Sequence, residues 1–243
     1  MSSLAERYAK VRDRIAAAAR RAGRDPDSIR LVAVSKGRTL AEIYELHTLG
    51  HHDLGENRSE EGSDKINAAR RDHKAMTWHM IGHIQRRKAR DVAADFDWVH
   101  SLDGAPLAER LSRTANEAGK IIPVLLECNV SGEASKHGLA ADRFDSDPAQ
   151  WAELCVTVET ILAQPNLKVS GLMTMAPIVP EPGLARPVFV KLRALRDKLA
   201  TRFPGGSWAE LSMGMTDDFE VAIGEGATMV RIGRAIFAPE AEA

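Results

Sequence analysis

Cysteine is nearly absent. Cys128 and Cys155, the only two in 243 residues, are too few for a disulfide framework or a four-thiolate metal site, and they suit a reducing cytoplasm. No charge of one sign prevails either: 33 Lys and Arg stand against 34 Asp and Glu, a net charge of −1. That balance removes any bulk attraction to nucleic acid or to an anionic membrane. No apolar run approaches the roughly 18 residues that a membrane span needs. The opening stretch, MSSLAERYAKVRDRIAAAARRAG, has no apolar region ahead of a small-residue cleavage site and does not read as a secretory signal. Aromatics are scarce at 5%, and only Tyr8 and Tyr44 carry a phenol. Repeats, low-complexity tracts and linkers are missing as well. Membrane, secreted and disordered classes are therefore excluded, and the expectation is one domain over 1–243, cytoplasmic and monomeric.

Against these absences, 44% hydrophobic and 28% charged residues are ordinary for a globular protein with a full core. Short β-branched or apolar runs recur at 31–34, 52–55, 78–81, 98–101, 123–129, 167–174, 208–213 and 229–233. Between them the apolar period lengthens to three or four. Leu107, Leu111 and Ala115 line one helix face; Trp151, Leu154, Val158 and Ile161 line another; Val188, Leu192, Leu195 and Leu199 a third. A further helix, with Leu4, Tyr8, Val11 and Ile15 on one side, precedes the first strand. Strands alternating with helices over this length predict a single (β/α)8 barrel with an extra N-terminal helix, since such barrels usually run to about 250 residues. An open doubly wound sheet is the competitor, and the strand count favours the barrel. The stretch 131–148, rich in Ser, Asp and Gly, reads as a long loop on the functional face.

Barrel chemistry gathers at the C-terminal ends of the strands. The first strand runs into Ser35-Lys36-Gly37. Lys36 is either a solvated loop residue or an amine placed to condense with a carbonyl; the second use needs the neutral form, only about one lysine in a few thousand at pH 7 without help from burial or a nearby cation. The seventh strand ends Ser212-Met213-Gly214-Met215-Thr216, and the eighth ends Arg231-Ile232-Gly233-Arg234. Loops after strands seven and eight form the recurrent phosphate site of this fold. Gly214 and Gly233 let backbone N–H groups approach an anion closely, with Ser212 and Thr216 as hydroxyl donors. The bland alternative is a pair of tight turns with Thr216 or Asp217 as a helix cap. Together the three strand ends describe a pocket for a phosphorylated carbonyl compound, pyridoxal phosphate first and a sugar phosphate next.

Ordered blocks carry a resemblance: Lys36 in AVSKGRT, Gly55-Glu56-Asn57-Arg58, WHMIGHIQ at 78–85 with Lys88, His100-Ser101-Leu102-Asp103, NVSGE at 129–133 with Lys136, GLMT at 171–174, and SMGMTDDF at 212–219 through Val230-Arg231-Ile232-Gly233. From about Leu31 to Phe237 the chain resembles the pyridoxal phosphate homeostasis proteins. The resemblance implies a barrel like the N-terminal domain of alanine racemase, with pyridoxal phosphate held as an imine on Lys36. It places the phosphate near Ser212, Gly214 and Gly233, with Asn57 and Met213 close to the cofactor. Arg231 is set either against the pyridine nitrogen or against the phosphate. Arg87 stands where the family usually has Asn, and Cys128 where Val is usual.

A guanidinium beside the ring nitrogen cannot yield its proton, so the ring stays a poor electron sink. Racemization further needs a second base, and neither tyrosine has an obvious place for it. The expected function is therefore reversible storage of pyridoxal phosphate and its supply to recipient enzymes, without substantial catalysis. A racemase- or deaminase-type enzyme, a class I aldolase and a regulatory protein docking through Arg86, Arg87 and Lys88 are the alternatives. His79 and His83 have the i, i+4 spacing of two metal ligands on a helix, but a strand end falls between them and no third ligand follows; no metal is expected.

Overall fold

The structure, a computed structural model, describes residues 2–133 and 136–238. Helix α1 (Leu4–Arg21) starts at Ser3, whose hydroxyl and the Glu6 carboxylate cap each other's backbone N–H groups. Then follow β1 (Arg30–Val34), α2 (Leu40–Thr48), β2 (Asp53–Glu56), α3 (Ser59–Arg71), β3 (Thr77–Met80), α4 (Ala89–Asp95), β4 (Trp98–Leu102), α5 (Ala105–Glu117) and β5 (Ile122–Asn129). The second half adds β6 (Leu139–Ala140), α6 (Pro148–Leu162), β7 (Leu167–Met173), α7 (Arg186–Arg202), β8 (Glu210–Ser212), α8 (Phe219–Gly224), β9 (Met229–Ile232) and α9 (Arg234–Phe237). Strands pair in parallel in the order β4-β3-β2-β1-β9-β8-β7-β5, and a β4–β5 pairing closes the ring. The chain is a closed eight-stranded α/β barrel with α1 as its extra N-terminal helix, as the sequence pattern predicts; the open sheet is ruled out by that closing pair.

Two expectations need correction. The run at 208–213 yields only the short β8, because the Trp208 indole N–H donates to the Phe203 carbonyl (3.0 Å) and closes the turn after α7 instead of joining the ladder. The stretch 131–148 is not loop throughout. Within it β6 pairs with β5 (Cys128↔Leu139, Asn129↔Ala140), and its last residue opens α6. Gly138 makes this possible: at φ +107° a side chain would be strained, and a Cβ there would sit 2.7 Å from the Glu127 carbonyl oxygen. Ala134 and Ser135 of that stretch, like Met1 and residues 239–243 of the expected domain, lie outside the described residues.

Strand alternation sorts side chains into two cores. Leu126, Cys128, Leu172, Leu211, Val230 and Ile232 join the large apolar cluster between strands and helices, with Phe96, Phe189 and Phe219 fully buried in it. Their neighbours Leu125, Met173 and Met229 form a separate small cluster inside the barrel, against Trp98 and Met175. The interior positions that remain, on the same alternation, hold the polar residues of the site.

Candidate functional site

Lys36 lies just past the end of β1, exposed, in a turn that Gly37 closes at φ +66°. Among the described residues its amine has no hydrogen-bond or ion-pair partner. The turn around it is nevertheless fixed. Lys65 of α3 reaches up with Nζ 2.7 Å from the Ser35 carbonyl, 2.8 Å from Glu56 Oε1 and 2.6 Å from Glu61 Oε1. The Gly37 N–H donates to that same Glu61 oxygen (2.6 Å), and the Ser35 hydroxyl to Glu56 Oε1 (2.6 Å). Burial pushes the Glu56 carboxyl up, opposed by Lys65 and Ser35. Three side chains of one helix and its preceding strand thus hold the backbone on both sides of Lys36 and leave its side chain free.

Strands flanking β1 bring the next expected residues alongside. Asn57 follows β2, half-buried, with Gly82 packed so closely that a Cβ there would lie 2.2 Å from the Asn57 carbonyl. Gly233 follows β9, where a Cβ would meet the Val34 Cβ and carbonyl at 3.1 Å. Gly214, at φ +95°, lies against α8: a Cβ would come within 2.6 Å of the Ala222 Cβ. Among the described residues, the backbone N–H groups of Gly214, Gly233 and Arg234 find no protein acceptor. Met213 is different. Its side chain is fully buried in the strand–helix core, not in the mouth, because it follows Leu211 on the outward alternation.

Ser212 and Arg231 meet inside the barrel. Arg231 Nη1 donates to the Ser212 carbonyl (2.8 Å) and hydroxyl (2.6 Å), and Nη2 to the Thr174 carbonyl (2.9 Å). Burial lowers its pKa to about 10, against the pull of Glu127 and Asp218, so it stays charged at neutral pH. From Ser212 a polar chain runs through the barrel: Ser212 Oγ to His100 Nδ1 at 2.9 Å, His100 Nε2 to His79 Nδ1 at 3.0 Å, His79 Nε2 to Asp53 Oδ1 at 3.0 Å. Burial holds both imidazoles below the usual histidine range, His100 far below. Both are therefore neutral, and the proton positions follow. A guanidinium only donates, so the Ser212 oxygen accepts from Arg231 and turns its own proton to His100. His100 then carries its proton on Nε2 and gives it to His79, which gives its own to the Asp53 carboxylate. Every donor points from the mouth toward the N-terminal end of the barrel, where Asp53 begins β2.

The helix-like spacing of His79 and His83 does not bring them together. His79 is inside the barrel, while His83 is on the rim, 3.1 Å from Asp103 and stacked on His137. The tyrosines are engaged elsewhere, Tyr44 with Asp72 at 2.6 Å and Tyr8 with His51 at 3.4 Å. Arg87 bonds to the Gln85 side chain on the surface, and Cys128 is buried toward the helices, its thiol pushed up by burial. A cavity of about 500 Å³ adjoins the turn after β8 at Met215, Thr216 and Asp218, and is walled by Ile178, Val179 and Arg14; Lys36 does not line it.

Sequence reasoning missed the interior residues Asp53, His100 and Glu127, and the clamp of Glu56, Glu61 and Lys65. Period-two alternation could have placed Glu127 inward beside Leu125; nothing local marks the clamp, which bridges a strand, a turn and a helix.

The profile of the alanine racemase N-terminal domain family matches residues 7–240. Over 237 residues the chain is 41% identical to the pyridoxal phosphate homeostasis protein of Pseudomonas aeruginosa, covering 98% of this chain and 96% of that one. Over 242 residues it is 39% identical to the protein of the same name from Escherichia coli, covering 98% and 97%. Among solved structures it is similar to PipY of Synechococcus elongatus with pyridoxal phosphate bound, at a TM-score of 0.80 and 32% identity, covering 97% of this chain and 100% of PipY.

Proposed function

The chain belongs to the family of pyridoxal phosphate homeostasis proteins, and on that premise we propose that it stores pyridoxal phosphate reversibly in the cytoplasm and releases it to recipient enzymes. The observation that carries this reading is that, among the described residues, the Lys36 amine on its clamped turn is free and the backbone N–H groups at Gly214, Gly233 and Arg234 are taken by no protein acceptor. Those features fit the cofactor: an amine for its aldehyde, and close-approach glycines with open donors for its phosphate. Lys36 would hold the aldehyde as an imine, Gly214 and Gly233 would take the phosphate, and Asn57 would lie beside the ring. Ser212 would act through Arg231, and Met213 through its backbone. When bound, the cofactor supplies an electrophilic carbonyl that exchanges between amines, so an incoming amine can displace Lys36.

The protein's own groups favour storage over turnover. Arg231 is held by three bonds and stays charged, so a ring nitrogen set against it would remain unprotonated and the cofactor a poor electron sink. Neither tyrosine is available as a facing base.

Lys36→Ala tests the reading. The wild-type protein loaded with pyridoxal phosphate should absorb in the visible and be fixed by borohydride on Lys36; the variant should show no imine and retain only weak, phosphate-directed binding. An undiminished adduct in Lys36→Ala would refute the assignment. Turnover of a panel of D- and L-amino acids would instead favour the racemase-type alternative.

A further inference from the structure

The Glu127 carboxyl takes part in none of the hydrogen bonds described above. It lies on β5 on the same inward alternation as Leu125, near the C-terminal end of the strand. In the ring β5 stands four strands from β1 in either direction, so Glu127 enters the barrel from the side opposite Lys36. It is 4% exposed, and its Oε2 has no hydrogen-bond partner among the described residues. A carboxyl withdrawn from water without a donor is costly, and natural interiors rarely keep one without a use.

The groups around it are few. From the end of β4 comes Asp103, itself 3.1 Å from the His83 imidazole. From β9 comes Arg231, which also feels Asp218 in the turn after β8. Strand β7 presents Met173 directly opposite, and Gly138 packs against the Glu127 Cγ from the approach to β6. Lys136, in the same approach, is committed to Glu133, Ser131 and the Met175 carbonyl. On Glu127's own strand the Cys128 thiol faces away, toward the helices. Among the described residues, no group donates to the Glu127 carboxyl. Burial first, and Asp103 second, raise its pKa to about 7, with Arg231 opposing.

We propose that Glu127 is a protonation-controlled contact for the bound cofactor: as a neutral acid it donates a hydrogen bond to an anionic oxygen of pyridoxal phosphate, and as a carboxylate it repels that oxygen and loosens the cofactor. This rests on the storage reading and supplies it with a release condition. The step moves one proton between the Glu127 carboxyl and bulk water; no bond of the cofactor changes. Retention is then strongest on the acid side of neutrality and falls as the pH rises.

The experiment compares wild type with Glu127→Gln, a neutral donor of the same shape, by pyridoxal phosphate titration at pH 6 and pH 8. Ionisation of Lys36 and of the cofactor affects both proteins alike, so the comparison isolates Glu127. Relative to Glu127→Gln, the wild-type dissociation constant should rise about tenfold between the two pH values for a group titrating near 7. Calorimetry at pH 8 in buffers of different ionisation heat should show wild type taking up nearly one more proton per cofactor than the variant. Identical pH profiles would overturn the proposal and leave the storage reading intact; failure of both proteins to bind would overturn that reading and the proposal with it. Should Glu127→Gln not fold, the infrared band of the protonated carboxyl in wild type decides. Persistence to higher pH in the presence of pyridoxal phosphate supports the contact, and indifference to the cofactor refutes it.

Discussion

Replacing Lys65 with Met removes the cation that holds the turn around Lys36. The Lys65 ammonium makes three bonds, to the Ser35 carbonyl and to Glu56 and Glu61, and its side chain is 10% exposed against 0% for Glu56. Methionine fills the same space but strands the Glu56 carboxylate with a single hydroxyl, that of Ser35, as donor. Truncating one partner of a buried pair costs about 3–5 kcal/mol, most of it the penalty of the charge left behind. For a chain of this length each kcal/mol moves the melting temperature by about 2–4 °C, so Lys65→Met should melt some 6–20 °C lower at pH 7. The pH dependence has a definite sign. Glu56 is already raised by burial, and without Lys65 its folded-state pKa rises further, so the variant is destabilised as pH increases through that value and recovers as pH falls and the carboxyl takes a proton. Circular-dichroism melts at pH 5 and pH 7 measure both effects, and Lys65→Met combined with Glu56→Leu should regain most of the loss. The turn loses an anchor as well, so the single variant should form the Lys36 imine in lower yield at a temperature where it is still folded. A melting temperature within about 2 °C of wild type at pH 7 would show that the pair contributes nothing and that the clamp is not what orders the turn.

The interior chain and the turn after β8 yield two more expectations. His100→Leu leaves the His79 ring and the Ser212 hydroxyl without their partner, at about 1–3 kcal/mol for each buried polar group, and should lower the denaturant midpoint without changing its slope. His100→Gln, which can both donate and accept, should restore part of it; equal midpoints for all three proteins would contradict the proton directions assigned to the chain. Gly214→Ala must place a methyl 2.6 Å from the Ala222 Cβ and 2.9 Å from the Phe219 Cα at φ +95°. Strain of about 1–3 kcal/mol is expected, together with weaker binding of pyridoxal phosphate, and a variant with wild-type affinity would move the phosphate away from this turn.

Much of the fold is legible because it rests on local pattern. Seven of the eight barrel strands lie within a residue of the expected runs, since alternation of β-branched residues and the following helical period are readable one segment at a time. The short β8 is the exception, because the fate of Trp208 depends on the Phe203 carbonyl at the end of α7. At the site the sequence brings Lys36, Asn57, Gly214 and Gly233 to strand ends, which the βα rhythm alone determines. Met213 illustrates the limit. Its place in the chain suggests a cofactor wall, yet one step of alternation turns its side chain into the helix layer. The hydrogen-bonded chain is beyond reach for another reason: His79 and His100 are 21 residues apart, and His100 and Ser212 are 112 apart, so only closure of the barrel makes them neighbours.

That closure also gives the interior its electrostatic character. Barrel interiors of this kind are usually filled with branched apolar side chains, and a guanidinium there is expensive. Arg231 is nevertheless buried at 4% exposure, and its bonds go to two carbonyls and a hydroxyl, with no carboxylate paired to it among the described residues. Hydrogen bonds engage both of its terminal nitrogens but do not cancel its charge. The two acids that act on it, Glu127 and Asp218, do so from a distance, and burial raises the pKa of both. The neutral histidine chain carries polarity away from the mouth without adding a compensating anion until Asp53 at the far end. A buried positive charge with no carboxylate paired directly to it among the described residues thus lies beneath the strand ends that carry Lys36 and the open N–H groups. Such a field favours an anionic ligand at the mouth, and its strength depends on whether Glu127 holds its proton: ionising Glu127 supplies internally the negative charge that the ligand would otherwise bring.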